Sequence, residues 1–273
     1  MAWKRFMEHR IGMIGLTVIL FNLLLAFAAP WIATQDPLKI EPKNIASPPS
    51  KANFFGTDGL GRDIFSRVIY GSRISLIVSL LSVLTAMVPG VILGSMAGYF
   101  GRWVDIIIMR FMDAVMSFPA ILLAIGIIAV RGGSLYNVVI ALSVVYTPVF
   151  YRITRGSVLS LKEKAFVEAA MASGNSPSTI IARHILPNCM APIIVQITVS
   201  LAYAIIAEAS LSFLGLGAPP PAPSWGNILS DARDFMMDAP WMTVFPGIAI
   251  TLSVVGFNMF GDALRDVLDP RLK

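Results

Sequence analysis

The amino-acid sequence predicts an all-α, polytopic membrane protein: about six transmembrane helices, with a polar helical hairpin between the fourth and the fifth. Of its 273 residues, 56% are hydrophobic and only 14% charged, whereas a soluble domain carries nearer a quarter charged. The charges are also bunched, leaving long uncharged runs, and about 20 apolar residues suffice to cross roughly 30 Å of hydrocarbon. Finally, the stretch 160–188 is polar and punctuated by Gly174, Asn175, Pro177 and Pro187, so it must lie outside the lipid.

The first run, 11–35, follows Lys4, Arg5 and Arg10. It is longer than the apolar core of a secretory signal, and further spans follow, so it reads as a first membrane helix preceded by a cytoplasmic segment, 1–10. Residues 11–273 then form one transmembrane domain. The loop 36–72 carries Pro37, Pro42, Pro48 and Pro49, then Gly56, Gly59 and Gly61. From Arg62 onward, Ile64, Phe65, Val68 and Ile69 recur at helical spacing, consistent with a short amphipathic helix on the membrane surface or with a packed connector. Asp58, Arg62 and Asp63 have no nucleophile or metal partner nearby in sequence and read as salt-bridged turn residues.

The second span, 74–101, contains Gly90, Gly94 and Gly98 at four-residue spacing. Small residues on one face let helices approach closely, so these three are the candidate helix-packing seam. Spans three and four are expected at 114–130 and 132–151, with Pro119 kinking the third. The fifth is expected from Ala191, after Pro187 and Pro192, to Ala207, and the sixth at 239–261. Glu208 falls at the far end of the fifth span, where it is expected to cap the irregular Gly217 loop or to pair with a partner subunit. Asn258 is expected to make an interhelical hydrogen bond. Segments assigned to the cytoplasm under this layout hold more Lys and Arg than those assigned outside, which puts both termini and the hairpin in the cytoplasm.

Within the hairpin, Ser160 to Ser173 reads as one amphipathic helix with an i,i+4 pair between Lys164 and Glu168. Gly174 and Asn175 break it, Ser176 caps the next helix, and Pro177 occupies its first turn. Pro187 is expected to end that second helix. Glu168, Ala169 and Ala170 would form a narrow ridge able to enter a groove on another protein, and Gly174 would set the angle between the helices.

Glu168-Ala169-Ala170, Gly174 and Leu186-Pro187 resemble the EAA loop of importer-type ABC permeases, with His184 standing where that pattern has Ile. Gly56-Thr57-Asp58, Gly61-Arg62-Asp63, Ser66-Arg67 and Tyr70-Gly71 resemble the dipeptide, oligopeptide and nickel permeases, as do the segment from Glu208 to Gly217, Pro223-Ser224-Trp225-Gly226, Gly261-Asp262 and Leu268-Asp269-Pro270-Arg271. The resemblance covers nearly the whole chain, in the shorter, second-permease type. It implies ATPase coupling through Glu168, Ala169, Ala170, Gly174, Leu186 and Pro187. It also implies a second homologous permease, two cytoplasmic ABC ATPase subunits, an extracytoplasmic solute-binding protein, surrounding membrane lipid, and the inner membrane of a prokaryote.

The chain has no phosphate-binding Gly-x-x-x-x-Gly-Lys loop, no zinc or redox motif and no nucleophile elbow, so it is not expected to be an enzyme or to carry a cofactor or metal. Its net charge of +5 is spread along span borders rather than forming a nucleic-acid stripe. The cargo expected is a di- or oligopeptide. The alternatives are nickel or another chelated metal in the same transporter class, or an ion-gradient-driven secondary transporter, for which no inverted repeat is apparent.

Overall fold

A computed structural model describes residues 2–268. Leu268-Asp269-Pro270-Arg271, and the helix stop expected at Pro270, lie beyond it from Asp269 onward. The chain is almost entirely helical: α1 Ala2–Glu8, α2 Arg10–Phe27, α3 Ala29–Ile32, α4 Ile64–Phe100, α5 Arg102–Met116, α6 Ala120–Arg131, α7 Leu135–Leu161, α8 Ala165–Ala172, α9 Pro177–Thr179, α10 Leu186–Phe213, α11 Trp225–Asp231 and α12 Trp241–Leu268. Among the described residues, five helices are long and apolar enough to cross a membrane, or up to six if the bent pair α5 and α6 counts as one span.

Several boundaries differ from the sequence reading for local reasons. The first span stops at Phe27, and Pro30 starts the separate turn α3. The residues read as a surface helix or a packed connector are the first turns of α4, because Asp63 caps that helix by accepting from the Ser66 amide at 2.8 Å. Ile64 and Val68 are buried there, against Trp225 and Met242. The third span is no straight helix over 114–130. Its two halves meet at 89° around Ser117 to Pro119, where Pro119 withholds the amide that would continue α5. The fourth starts at Ser134, which caps α7 by accepting from the Asn137 amide.

The helices α4 and α7 run against each other through Gly90, Gly94 and Gly98. A methyl group at Gly94 would lie 2.6 Å from the Tyr151 carbonyl oxygen, and one at Gly98 2.8 Å from Val158 Cβ. Contact this close leaves no room for any side chain. Thr85 and Ser143 add a hydroxyl bridge across the same pair. Asn258, by contrast, is exposed on α12 and among the described residues has no interhelical hydrogen bond, because its helix face turns away from the bundle.

A second seam escaped the sequence reading. Gly15 of α2 lies against α12, where a methyl group would come within 2.7 Å of the Phe260 amide nitrogen, and Gly256 meets Val18 from the other side. Gly94→Ala is expected to destabilise the protein by about 1–3 kcal/mol through overpacking. Gly126→Ala, where a new methyl meets nothing within 4 Å, should be neutral or mildly stabilising. Thermal melting of both variants in detergent checks the contrast, and equal melting would refute the close α4–α7 contact.

Candidate functional site

The hairpin begins where α7 ends. Leu161 is followed by a turn at Lys162 to Lys164, so the expected helix from Ser160 to Ser173 is two helices. Lys164 is the N-cap of α8 and has extended backbone. It therefore cannot lie along the helix face beside Glu168, and the expected ion pair does not form. Glu168 instead sits in the first turn, where the helix dipole favours a carboxylate.

The turn between the two helices is held by hydrogen bonds among its own backbone and side-chain groups. Gly174 takes φ +77°. Its amide donates to the Met171 carbonyl at 3.0 Å, while the Asn175 amide reaches back to the Ala170 carbonyl at 3.3 Å. This is the Schellman arrangement, and the Asn175 side-chain amide donates to the same Ala170 carbonyl at 3.0 Å. Ser176 then caps α9 by accepting from the Thr179 amide, with Pro177 in the first turn.

Packing sorts the motif into an inner and an outer face. Val167 and Ala170 are buried with Ile180, Ile185, Cys189 and Ile193 against Val158 of α7 and, from α4, Val91 and Tyr99. Ala170 therefore points into the protein, contrary to the expected ridge. The outward face carries Glu168 and Ala169 with Ala165 and Ala172, all exposed. Leu186 is half-buried and Pro187 exposed.

Pro187 does not end the second helix. Residues 177–213 form one apolar helical run, interrupted only by a π-helical turn at Ile180–Ile185, where the Leu186 amide donates to the Ile181 carbonyl five residues back. The wider turn makes room for the proline ring, which would otherwise strike a carbonyl four residues back. The fifth span thus starts at Leu186, not Ala191, and is continuous with the hairpin.

The hairpin shares one end of the bundle with the ends of other helices. His9, which caps α2, stands 3.4 Å from Asp266 near the end of α12. Arg265 of α12 lines a cleft of about 440 Å³ with Ile153 of α7 and Ala191 and Gln196 of α10.

The opposite end is closed by charge. Asp58 holds Arg62 at 2.6 Å, and Asp231 of α11 receives Arg62 at 2.7 Å and Arg67 at 3.0 Å. Asp231 stands far along the sequence from both arginines, and nothing local marked it. Beneath this cluster Glu208 is wholly buried and accepts from the Ser212 hydroxyl at 2.7 Å. Ser212 abuts Gly217, so the carboxylate supports that loop from below. It is not available to a partner subunit.

Residues 90–273 match the family described as binding-protein-dependent transport system inner membrane component. The chain belongs to this family. Residues 1–49 match the N-terminal transmembrane domain of oligopeptide transport permease C. The dipeptide transport system permease protein DppC of Alkalihalophilus pseudofirmus is 47% identical over 272 residues, covering 100% of this chain and 90% of the relative. The glutathione transport system permease protein GsiD of Pectobacterium atrosepticum is 43% identical, covering 99% and 90%. Among solved structures, the inward-facing MetNI methionine ABC transporter matches with a TM-score of 0.60 at 19% identity, covering 74% of this chain and 97% of that one. The family member described here is thus a multi-pass, non-catalytic permease subunit of an ABC transporter, in which ATP is hydrolysed by separate subunits.

Proposed function

We propose that this permease forms half of the translocation path of an ATP-driven importer for di- and oligopeptides and is coupled to its ATPases through the α8 hairpin. The observation that carries the reading is the hairpin itself: a self-capped turn seated on α4 and α7, with Glu168 and Ala169 exposed and its second helix continuous with α10. ATP binding would close the ATPase dimer and move the docked hairpin, and α10 would follow as a rigid lever. The partners are a second homologous permease, two cytoplasmic ATPases and an extracytoplasmic solute-binding protein. Both termini and the hairpin lie on the cytoplasmic side of a prokaryotic inner membrane. Leu186 and Pro187 serve at the root of the lever, Gly174 sets the hairpin angle, and Gly90, Gly94 and Gly98 keep α4 and α7 in contact as the arrangement switches.

Peptide is preferred over nickel as cargo because named relatives carry dipeptides, di/tripeptides and glutathione. Cells or vesicles containing the complete transporter should take up labelled di- and oligopeptides, with little uptake of radioactive nickel with or without chelators. Nickel uptake that peptides do not compete would overturn the cargo assignment.

A further inference from the structure

A groove of about 370 Å³ opens on the side of the bundle between α2, α4, α10 and α12. Ile19 and Phe27 of α2, Leu76 and Leu80 of α4, Ile205 of α10 and Phe257 of α12 line it, and its one charged lining residue is Arg73. Arg73 is only partly buried, and among the described residues it forms neither an ion pair nor a hydrogen bond. An arginine that lines an apolar groove in a membrane protein while its guanidinium has no protein partner calls for an anion carried on an apolar tail.

The geometry points to a binding site for one phospholipid, its phosphate on Arg73 and an acyl chain in the groove, in the leaflet opposite the hairpin. Arg73 lies near the end of α4 that is closed by the Asp58–Arg62–Asp231 cluster, and Phe27, the last residue of α2, lines the groove with it. From Arg73 to Leu80 the helix advances about 10 Å, which is most of one hydrocarbon leaflet given a core of roughly 30 Å. A headgroup at the arginine therefore directs its chain along the groove toward the bilayer midplane. The groove is lined jointly by α10, which is continuous with the hairpin, and by α2 and α12, so an occupying chain touches all three. The groove's volume and apolar lining are those of a formed ligand pocket.

The test uses the purified, delipidated transporter complex and native mass spectrometry during titration with dioleoyl phosphatidylglycerol. One phospholipid should bind the wild-type complex most tightly. Arg73→Gln should weaken that first site about tenfold, the loss of a charge-assisted hydrogen bond, while Arg73→Lys should retain most of it. Ile77→Trp, at an exposed rim position of the same groove, should displace the lipid while Arg73 is intact. It should do so without lowering the melting temperature. Equal first-site affinity in Arg73→Gln and the wild type would overturn the assignment, as would dioleoylglycerol, which lacks the phosphate, binding as well as phosphatidylglycerol. A photo-crosslinker at position 77 that captures the second permease instead of lipid would also overturn it, since the groove would then be a subunit interface.

Discussion

Trp225→Ala will lower the melting temperature of the purified protein by more than any other single truncation at the end of the bundle opposite the hairpin. Trp225 is 1% exposed and is the plug that seats α11 between α4 and α10. Its ring packs among Ile64, Val68, Ile205 and Ile228, its indole nitrogen donates to the Val68 carbonyl at 3.0 Å, and its backbone amide donates to the Ser75 hydroxyl at 3.3 Å. Truncating such a side chain costs about 3–5 kcal/mol through lost burial and the cavity left behind, a large share of the roughly 5–15 kcal/mol that holds a protein folded. Neighbouring glycines leave little room to relax: a methyl at Gly226 would come within 2.6 Å of Ser212 Cβ, and one at Gly71 within 3.3 Å of the indole. Trp225→Phe keeps most of the apolar volume and loses one hydrogen bond, so it should cost only about 1 kcal/mol. If Trp225→Ala melts with the wild type, α11 is not a closed plug, and the charge cluster of Asp231 with Arg62 and Arg67 must hold this end alone.

The second large effect is on coupling, and the two faces of the hairpin separate it from stability. Ala169 is exposed, so Ala169→Trp should leave melting unchanged while substrate-stimulated ATP hydrolysis and uptake fall together by tenfold or more. That corresponds to about 1.4 kcal/mol or more of lost coupling. Ala170→Leu should lower stability as well, because Ala170 is 7% exposed and packs inward. Gly174 has nothing within 4 Å of a new methyl group but holds φ +77°, so the cost of substituting it is purely conformational. Gly174→Val should therefore impair coupling through backbone strain of about 1–3 kcal/mol, whereas Gly174→Asn, which tolerates the left-handed region, should retain most activity. Normal coupling in both Ala169→Trp and Gly174→Val would remove the hairpin from the docking surface.

The sequence by itself determined what depends on length, local capping and composition. Uncharged runs marked the apolar helices because hydrocarbon tolerates no unpaired backbone polar group. Gly174, Asn175, Ser176 and Pro177 announced a helix–turn–helix because each acts on backbone within a few residues of itself. The four-residue spacing of Gly90, Gly94 and Gly98 was likewise visible, though not the identity of the helix they meet.

Only the tertiary structure decided which surfaces those helices turn toward one another. A proline's local effect argued for a helix end at Pro187, but a π-helical turn, stabilised by burying Ile180 and Ile185 against α4 and α7, absorbs the ring and lets the helix run on into α10. Ala170 looks outward by adjacency to Glu168 and faces inward because Val158 and Val167 make an apolar seat there. Asp231 joins Arg62 and Arg67 across most of the chain, and Gly15 of α2 meets the Gly256 region of α12 across almost all of it. Such contacts follow from the complementary shape and charge of packed helices, a property that no stretch of sequence carries alone.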